Sequence, residues 1–333
     1  SMSMLNALRL VTYNIQAWRD VHHRCNFERI VNAVQELQPD ILCMNEVLHP
    51  FAKPNNDDAV VIEQYYDAIK NNKGRETDTS LFIPKVSSDS FLYRLGQETK
   101  LPNIEFVGAT NIHSFGCGVD FGNAILTKLS IEDVQHHVLD VKPGDIELGN
   151  QKRSIVDPRA FSKYKLKVEE PSLNKDTTTT SLMGLYTTHL DHISEELREQ
   201  QILRGLDAGD DTSLPHLICG DFNTFQKQDC NSNDWKDLLQ LYEENGWPAP
   251  YEKSLVLEAL KERGYKDTFY EINNNNSHPK ATAWTNRPLM RIDHVFHKDT
   301  QKKIIIEDHY CATKFDGSDH FPVVVDFRIE KVI

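Results

Sequence analysis

The chain reads as an α/β protein, a four-layer sandwich in which two mostly antiparallel β-sheets pack face to face with helices outside. Three observations predict it. Short β-branched runs recur along the whole length, and helical periodicity is confined to a few segments between them. The order strand, helix, strand, then further strands occurs in both halves of the chain. Sheets with one apolar face need a cover, and two such sheets supply it by facing each other.

Alternation and β-branched runs predict strands near 8–14, 40–45, 104–108, 122–127, 133–140, 159–168, 181–189, 215–220, 292–296, 303–309 and 323–329. Helical spacing is clearest at Phe27, Ile30, Val31, Val34 and Leu37, closed by Pro39. Asp234 is placed to cap a second helix carrying Trp235, Leu238, Leu239 and Tyr242, with Gly246 just beyond. Ser254 is placed to cap a third that stops at Gly264. The segment 194–207 reads as a fourth and 58–71 as a fifth. Lys167–Ser181, with its four threonines, and residues 273–277, around an asparagine run, read as surface loops.

At 333 residues the chain has room for one large domain or two ordinary ones. We read residues 1–333 as a single domain, because candidate site residues fall on both sides of Lys167–Ser181. Ser1–Met4 fits an expression remnant. A hydrophobic content of 39% with 26% charged residues is that of a globular protein, and no apolar run has membrane-spanning length. We expect a monomer without an integral membrane segment. The six cysteines lack CxxC spacing, and Cys43 and Cys219 lie inside apolar runs as buried thiols. Together with the lack of a visible leader, this points to an intracellular setting, cytoplasmic or nuclear. A net charge of −13 argues against a broadly basic nucleic-acid-coating surface. It leaves nucleic acid open, because bound divalent cations are missing from that count.

Function is written at the ends of the apolar runs. Asn14 ends Leu8-Arg-Leu-Val-Thr-Tyr-Asn, Glu46 ends Ile41-Leu-Cys-Met-Asn-Glu, and His189 ends Leu185-Tyr-Thr-Thr-His. Asp221 and Asn223 close Leu217-Ile-Cys-Gly-Asp-Phe-Asn, and Asp293 sits in Arg291-Ile-Asp-His-Val-Phe. Asp319 and His320 precede Val323-Val-Val. Carboxylates and imidazoles gathered at strand ends indicate metal-assisted hydrolysis of a phosphate ester. A rival cluster, Glu132, Asp133, His136 and His137, lies on a predicted strand without such context and reads as a solvated face. Arg291 is open to reading as a surface charge, and Asn123 as support behind a strand end.

These motifs resemble the endonuclease/exonuclease/phosphatase superfamily. The match runs from Val11-Thr-Tyr-Asn14 through Asn45-Glu46, Gly122-Asn-Ala-Ile-Leu126, Thr188-His-Leu-Asp-His192 and Gly220-Asp-Phe-Asn223 to Arg291-Ile-Asp293 and Ser318-Asp-His320. The resemblance implies a DNase I-like sandwich and dependence on Mg²⁺, with Mn²⁺ substituting. Mg²⁺ prefers oxygen ligands, which makes Glu46 a metal ligand, with Asn14 sharing or positioning the site and Asp319 as partner. His320 is then the general base, with Asp293 on its other ring N–H. Asp221 orients water or helps hold the metal, Asn223 donates to a nonbridging oxygen, and His189 meets the phosphate from the opposite side. Arg153, Trp284 and Asn123 are the substrate-side candidates. Several branches fit less well: Thr188-His-Leu-Asp-His192 replaces the Tyr-x-Pro-Asn of apurinic endonucleases, and no Pro-Ala-Trp-Cys-Asp-Arg of inositol 5-phosphatases is found. We therefore expect a nucleic-acid or nucleotide phosphodiesterase. The alternatives are a phosphomonoesterase, a sphingomyelinase-like lipid phosphodiesterase, or a catalytically dead binding protein on the same fold.

Overall fold

The computed structural model describes residues 7–50, 90–108, 119–139, 159–170, 179–208, 213–273, 277–300 and 302–331. Arg153, Cys117 and the expected helix at 58–71 lie outside these residues. In chain order the elements are β1 Leu8–Asn14, α1 Phe27–Leu37, β2 Ile41–Pro50, α2 Phe91–Thr99, β3 Asn103–Gly108, β4 Val119–Thr127, β5 Ser130–Val138, β6 Ala160–Glu170 and β7 Thr179–His189. There follow α3 Glu195–Asp207, β8 His216–Asp221, α4 Ser232–Glu244, α5 Leu255–Glu262, β9 Lys266–Asp267, α6 Thr268–Ile272, β10 Asp293–Lys298, β11 Lys302–Cys311 and β12 Val323–Lys331.

The strands form two six-stranded mixed sheets, ordered β11-β12-β1-β2-β4-β3 and β5-β6-β7-β8-β10-β9. All described pairings are antiparallel except β1 with β2 and β7 with β8. Strand alternation builds the layers. Leu10, Ile41, Cys43, Leu185, Leu217, Cys219, Val295, Val323 and Val325 meet between the sheets. Their neighbours Val11, Tyr13, Leu42 and Met44 face outward onto α1 and α2. On the other side Ile218 and Phe296 pack under α3 and α5. Helix, sheet, sheet and helix are the four expected layers. Among the described residues no helix is long and apolar enough to cross a membrane.

Caps account for most helix starts. The hydroxyls of Ser194 and Ser254 accept from the N–H groups of Leu197 and Leu257. The helix expected to start at Asp234 begins earlier: Asn231 is the cap, accepting from Asn233 and Asp234. The expected loop at 167–181 is shorter, because Glu169 and Glu170 pair with Thr180 and Thr179 and extend β6 and β7. Cross-strand pairing there overrides the turn-like composition. The Glu132–His137 segment is a largely exposed edge strand, as a solvated face should be.

Candidate active site

The alternation that fills the sheet interface also aims the site residues. Leu10, Thr12 and Asn14 share one face of β1; Leu217, Cys219 and Asp221 share one face of β8; Val295 and Asp293 share one face of β10. The apolar members fill the space between the sheets, so the last polar residue of each row opens at its end. Parallel pairing sets Asn14 beside Asn45 and His189 beside Asp221, and antiparallel pairing sets Asp293 opposite Asp221. Every one of these strands reaches the same rim of the sandwich.

Glu46 arrives there by a different device. By simple alternation it would follow Leu42 and Met44 toward the helices. The β2–β4 register shifts between Met44 and Val47, and Glu46 takes φ +54°. This bulge inserts an extra residue and turns the carboxylate into the rim. A left-handed conformation at a glutamate is uncommon, and here it coincides with the site. Gly220 answers a second constraint: its φ is +141°, and a Cβ would lie 1.9 Å from the Thr188 carbonyl oxygen. Only glycine lets β8 approach β7 closely enough to set Asp221 beside His189.

Asp221 is the hub. Its backbone N–H donates to Asn45 Oδ1 at 2.8 Å, and its Oδ1 accepts from the Asn223 N–H at 2.9 Å. Its Oδ2 accepts from Asn14 Nδ2 at 3.0 Å and lies 3.5 Å from His189 Nε2 and 3.8 Å from His320 Nε2. Asn14 Nδ2 also donates to Glu46 Oε1 at 3.0 Å, while its Oδ1 accepts from the Gln16 N–H. Turned this way, Asn14 braces two carboxylates and its oxygen is already taken. Asn123 is likewise behind the site, 2% exposed, accepting from Asn45 Nδ2 at 2.9 Å. Asn223 Nδ2 donates to the Leu190 carbonyl at 3.0 Å, tying the exits of β7 and β8 together.

His320 Nδ1–H donates to Asp293 Oδ2 at 2.8 Å, which leaves Nε2 facing Asp221 and, at 4.0 Å, Asp319 Oδ1. The loop carrying it is held from several directions. Asn26 Nδ2 lies 2.9 Å from the Gly317 carbonyl, Thr285 N–H donates to Asp319 O, and Phe321 N–H donates to Thr282 O.

A residue absent from the sequence-based candidates completes the group. Arg159, just before β6, is 5% exposed, and its Nη1 and Nη2 donate to His189 Nδ1 at 3.1 Å and His192 Nδ1 at 3.2 Å. With Nδ1 accepting, His189 carries its proton on Nε2, toward Asp221 and Glu46. Among the described residues Arg159 has no carboxylate partner, and its Nε is a buried donor without one. Asp191, between these two histidines in sequence, organises the loop, accepting from the N–H groups of Ile193 and Ser194. Arg291, far from being a surface charge, is 2% exposed and pairs with Asp267 and Asp229 beneath the rim.

Burial and charge set the proton affinities. Asp221 is pushed up to about 7, by burial first and then by Asp293 and Glu46, against the lowering effect of His320. Burial and the neighbouring Asp319 raise Glu46. Burial alone would lower His320, but Asp293, Asp319 and Asp221 outweigh it and hold the imidazole well above its usual 6.5. Burial, then Arg159 and His320, hold His189 well below 6.5, so it is a neutral donor. Neighbouring carboxylates add to burial in raising Glu46 and Asp221, which is the signature of a site short of positive charge. Ligand atoms of Glu46, His189 and Asp221 lie within 4.8 Å of one another, as do those of Asp221, Asp293 and His320. Clustered carboxylate oxygens, a buried unpartnered Asp293 Oδ1 and the raised Glu46 and Asp221 fit a hard divalent cation.

A sandwich of two mixed sheets with acids and histidines converging at one rim defines a phosphoester-hydrolase type of site. Residues 11–320 match the model of the Endonuclease/Exonuclease/phosphatase family, and the chain belongs to that family. Solved structures share its fold. An endonuclease/exonuclease/phosphatase from Beutenbergia cavernae is 18% identical with a TM-score of 0.60, the match covering 97% of this chain and 72% of that one. The Bacteroides thetaiotaomicron mannosyl-6-phosphatase is 16% identical, TM-score 0.55, covering 96% and 99%. D. rerio TDP2 complexed with single strand DNA product is 11% identical, TM-score 0.52, covering 97% and 99%. Among curated proteins none matches this chain by sequence.

Proposed function

We propose that the protein is a divalent-metal-dependent phosphoesterase that hydrolyses a phosphodiester of a nucleotide or nucleic acid, with Mg²⁺ as the natural ion. The observation that carries this reading is the Asp221-centred cluster, in which Glu46, His189, Asp293 and His320 converge from both sheets. Glu46 and Asp221, with Asp319 beside them, would hold the cation. When bound there it supplies positive charge to the phosphoryl and leaving oxygens.

The chain's own residues divide the remaining work. Once a cation offsets the carboxylates that raise His320, its Nε2 would take a proton from the attacking water, with Asp293 holding the ring in the tautomer that leaves Nε2 free. His189, neutral and protonated on Nε2, donates a hydrogen bond to a phosphoryl oxygen without titrating. Arg159 supplies a permanent charge on the same side, where a buried guanidinium with no carboxylate partner among the described residues favours an anionic guest. The second N–H of the Asn223 amide is available to a nonbridging oxygen.

Arg159 also supports a second reading, a phosphomonoesterase, since a dianionic ester gains more than a monoanionic one from a buried cation that has no ion-pair partner among the described residues. The test is a panel of phosphate diesters and monoesters assayed with Mg²⁺ and with EDTA. Preference for diesters with loss in EDTA is expected; preference for monoesters selects the second reading. No hydrolysis of any ester, with the family fold intact, leaves a binding protein.

A further inference from the structure

Two tryptophans from different segments of the chain meet beside backbone that holds the site loop. Trp284 follows Ala283, whose backbone pairs with His320, and precedes Thr285, whose N–H donates to Asp319 O. Its indole meets Trp247 edge to face at 6.4 Å, and Trp247 meets Tyr242 in the same way at 5.3 Å. Tyr242 in turn stands edge to face on Phe225, two residues beyond Asn223. The aromatic series is therefore anchored at both ends to segments that carry site residues.

A single exposed aromatic residue is ordinary on a protein surface. Trp247 differs in being 42% exposed yet fixed on both flanks, with Trp284 half-buried beside it. An exposed indole already held on two flanks loses little freedom when a ring stacks on it. The surrounding charge does not favour a polyanion: residues 243–253 and 282–289 carry Glu243, Glu244 and Glu252 against Lys253 and Arg287.

We infer that Trp247, with Trp284, forms a specificity subsite that stacks an uncharged ring, sugar or nucleobase, of the ester. The inference rests on the phosphoesterase reading and narrows it. A ring-bearing small ester, or the end of a chain, fits the subsite, and a long polynucleotide tracking across it does not. Trp247 then sets which ester is chosen, while the rim residues carry out the hydrolysis.

The experiment is calorimetric titration with Mg²⁺ in a His320→Ala background, which prevents turnover during the measurement. The probes are adenosine 5′-monophosphate, mannose 6-phosphate, glycerol 3-phosphate and inorganic phosphate. At least one ring-bearing probe should bind about tenfold tighter than glycerol 3-phosphate, in line with stacking on an aromatic side chain. Trp247→Ala should erase that preference and Trp247→Phe should keep part of it. Preference for the nucleotide alone assigns a base to the subsite, and for the sugar phosphate alone a pyranose. Equal binding of ring and acyclic probes, or a ring preference that survives Trp247→Ala, overturns the inference while leaving the phosphoesterase reading in place. If inorganic phosphate and all three esters fail to bind, and the wild-type protein hydrolyses no ester, the reading itself falls and the subsite with it.

Discussion

His320 and Asp293 stand 2.8 Å apart with the ring N–H donated to the carboxylate, so on the proposed function their effects on turnover should not be independent. His320→Ala should lower kcat by about 10² to 10⁴. Asp293→Asn, which offers the ring an amide in place of an anion, should cost a similar order. The double variant should lose little more than His320→Ala alone, because nothing is left to orient. The acidic limb of the pH–rate profile should move to lower pH in Asp293→Asn, since the imidazolium loses a stabilising anion. Multiplying losses with an unmoved profile would assign Asp293 to the fold alone. Asp221 gives a second residue-scale prediction. Its carboxyl, ordinarily near 3.8, is raised to about 7, first by burial, so the metal-free folded chain binds this proton more tightly than the unfolded chain. Stability from this group is therefore lost as pH rises from about 4 to 7, on the order of 4 kcal/mol. His320, raised above 6.5, acts in the same direction: its contribution is complete below 6.5 and fades as pH passes its folded value. A cation needs the deprotonated oxygens and relieves the same repulsion. Mg²⁺ should accordingly raise Tm more at pH 8 than at pH 5.5 in scanning calorimetry; an equal increment would place the ion elsewhere.

At the scale of elements, the site depends on how closely β7 and β8 approach. Gly220→Ala puts a methyl 1.9 Å from a backbone oxygen that cannot swing aside, and should cost about 3 kcal/mol or more in urea unfolding, with loss of activity. Gly246→Ala, at φ +65° with no atom within 4 Å, should cost only about 1 kcal/mol and serves as the comparison. Equal costs would mean that strand approach is not what Gly220 secures. Elements were legible in the sequence where an apolar run and a polar terminus coincide, as at Asn14, His189 and Asp221. The β2 bulge was not, because two polar residues after Cys43-Met44 look like the end of a strand; β2 in fact continues to Pro50. Helix α2, capped by Ser90, also went unread. Arg159 ends no apolar run and belongs to no motif, so only the fold brings it to His189. Arg291 could not be recognised as buried, because its partners Asp267 and Asp229 are 24 and 62 positions away.

The whole molecule joins two sheets around one rim, and neither sheet alone carries the cluster: Asn14 and Glu46 come from one, His189, Asp221 and Asp293 from the other. That arrangement explains why motifs scattered over most of the chain could be read together, and why the long-range contacts among them could not. It also reconciles a net charge of −13 with a phosphate-bearing substrate. On the proposed reading the attraction is local, from Arg159 and from a cation drawn to crowded carboxylates, since the overall field repels anions.

The most direct test of that account is the dependence of ester hydrolysis on Mg²⁺ concentration in the wild-type protein and in Glu46→Gln. The wild type should show saturable activation by Mg²⁺ that EDTA abolishes. Glu46→Gln, folded as judged by circular dichroism, should need at least about tenfold more Mg²⁺ for half-maximal rate, as expected when a metal-site carboxylate or its close support is lost. Activation by Mg²⁺ that is unchanged in Glu46→Gln, or hydrolysis that proceeds undiminished in EDTA, would contradict the account at its centre.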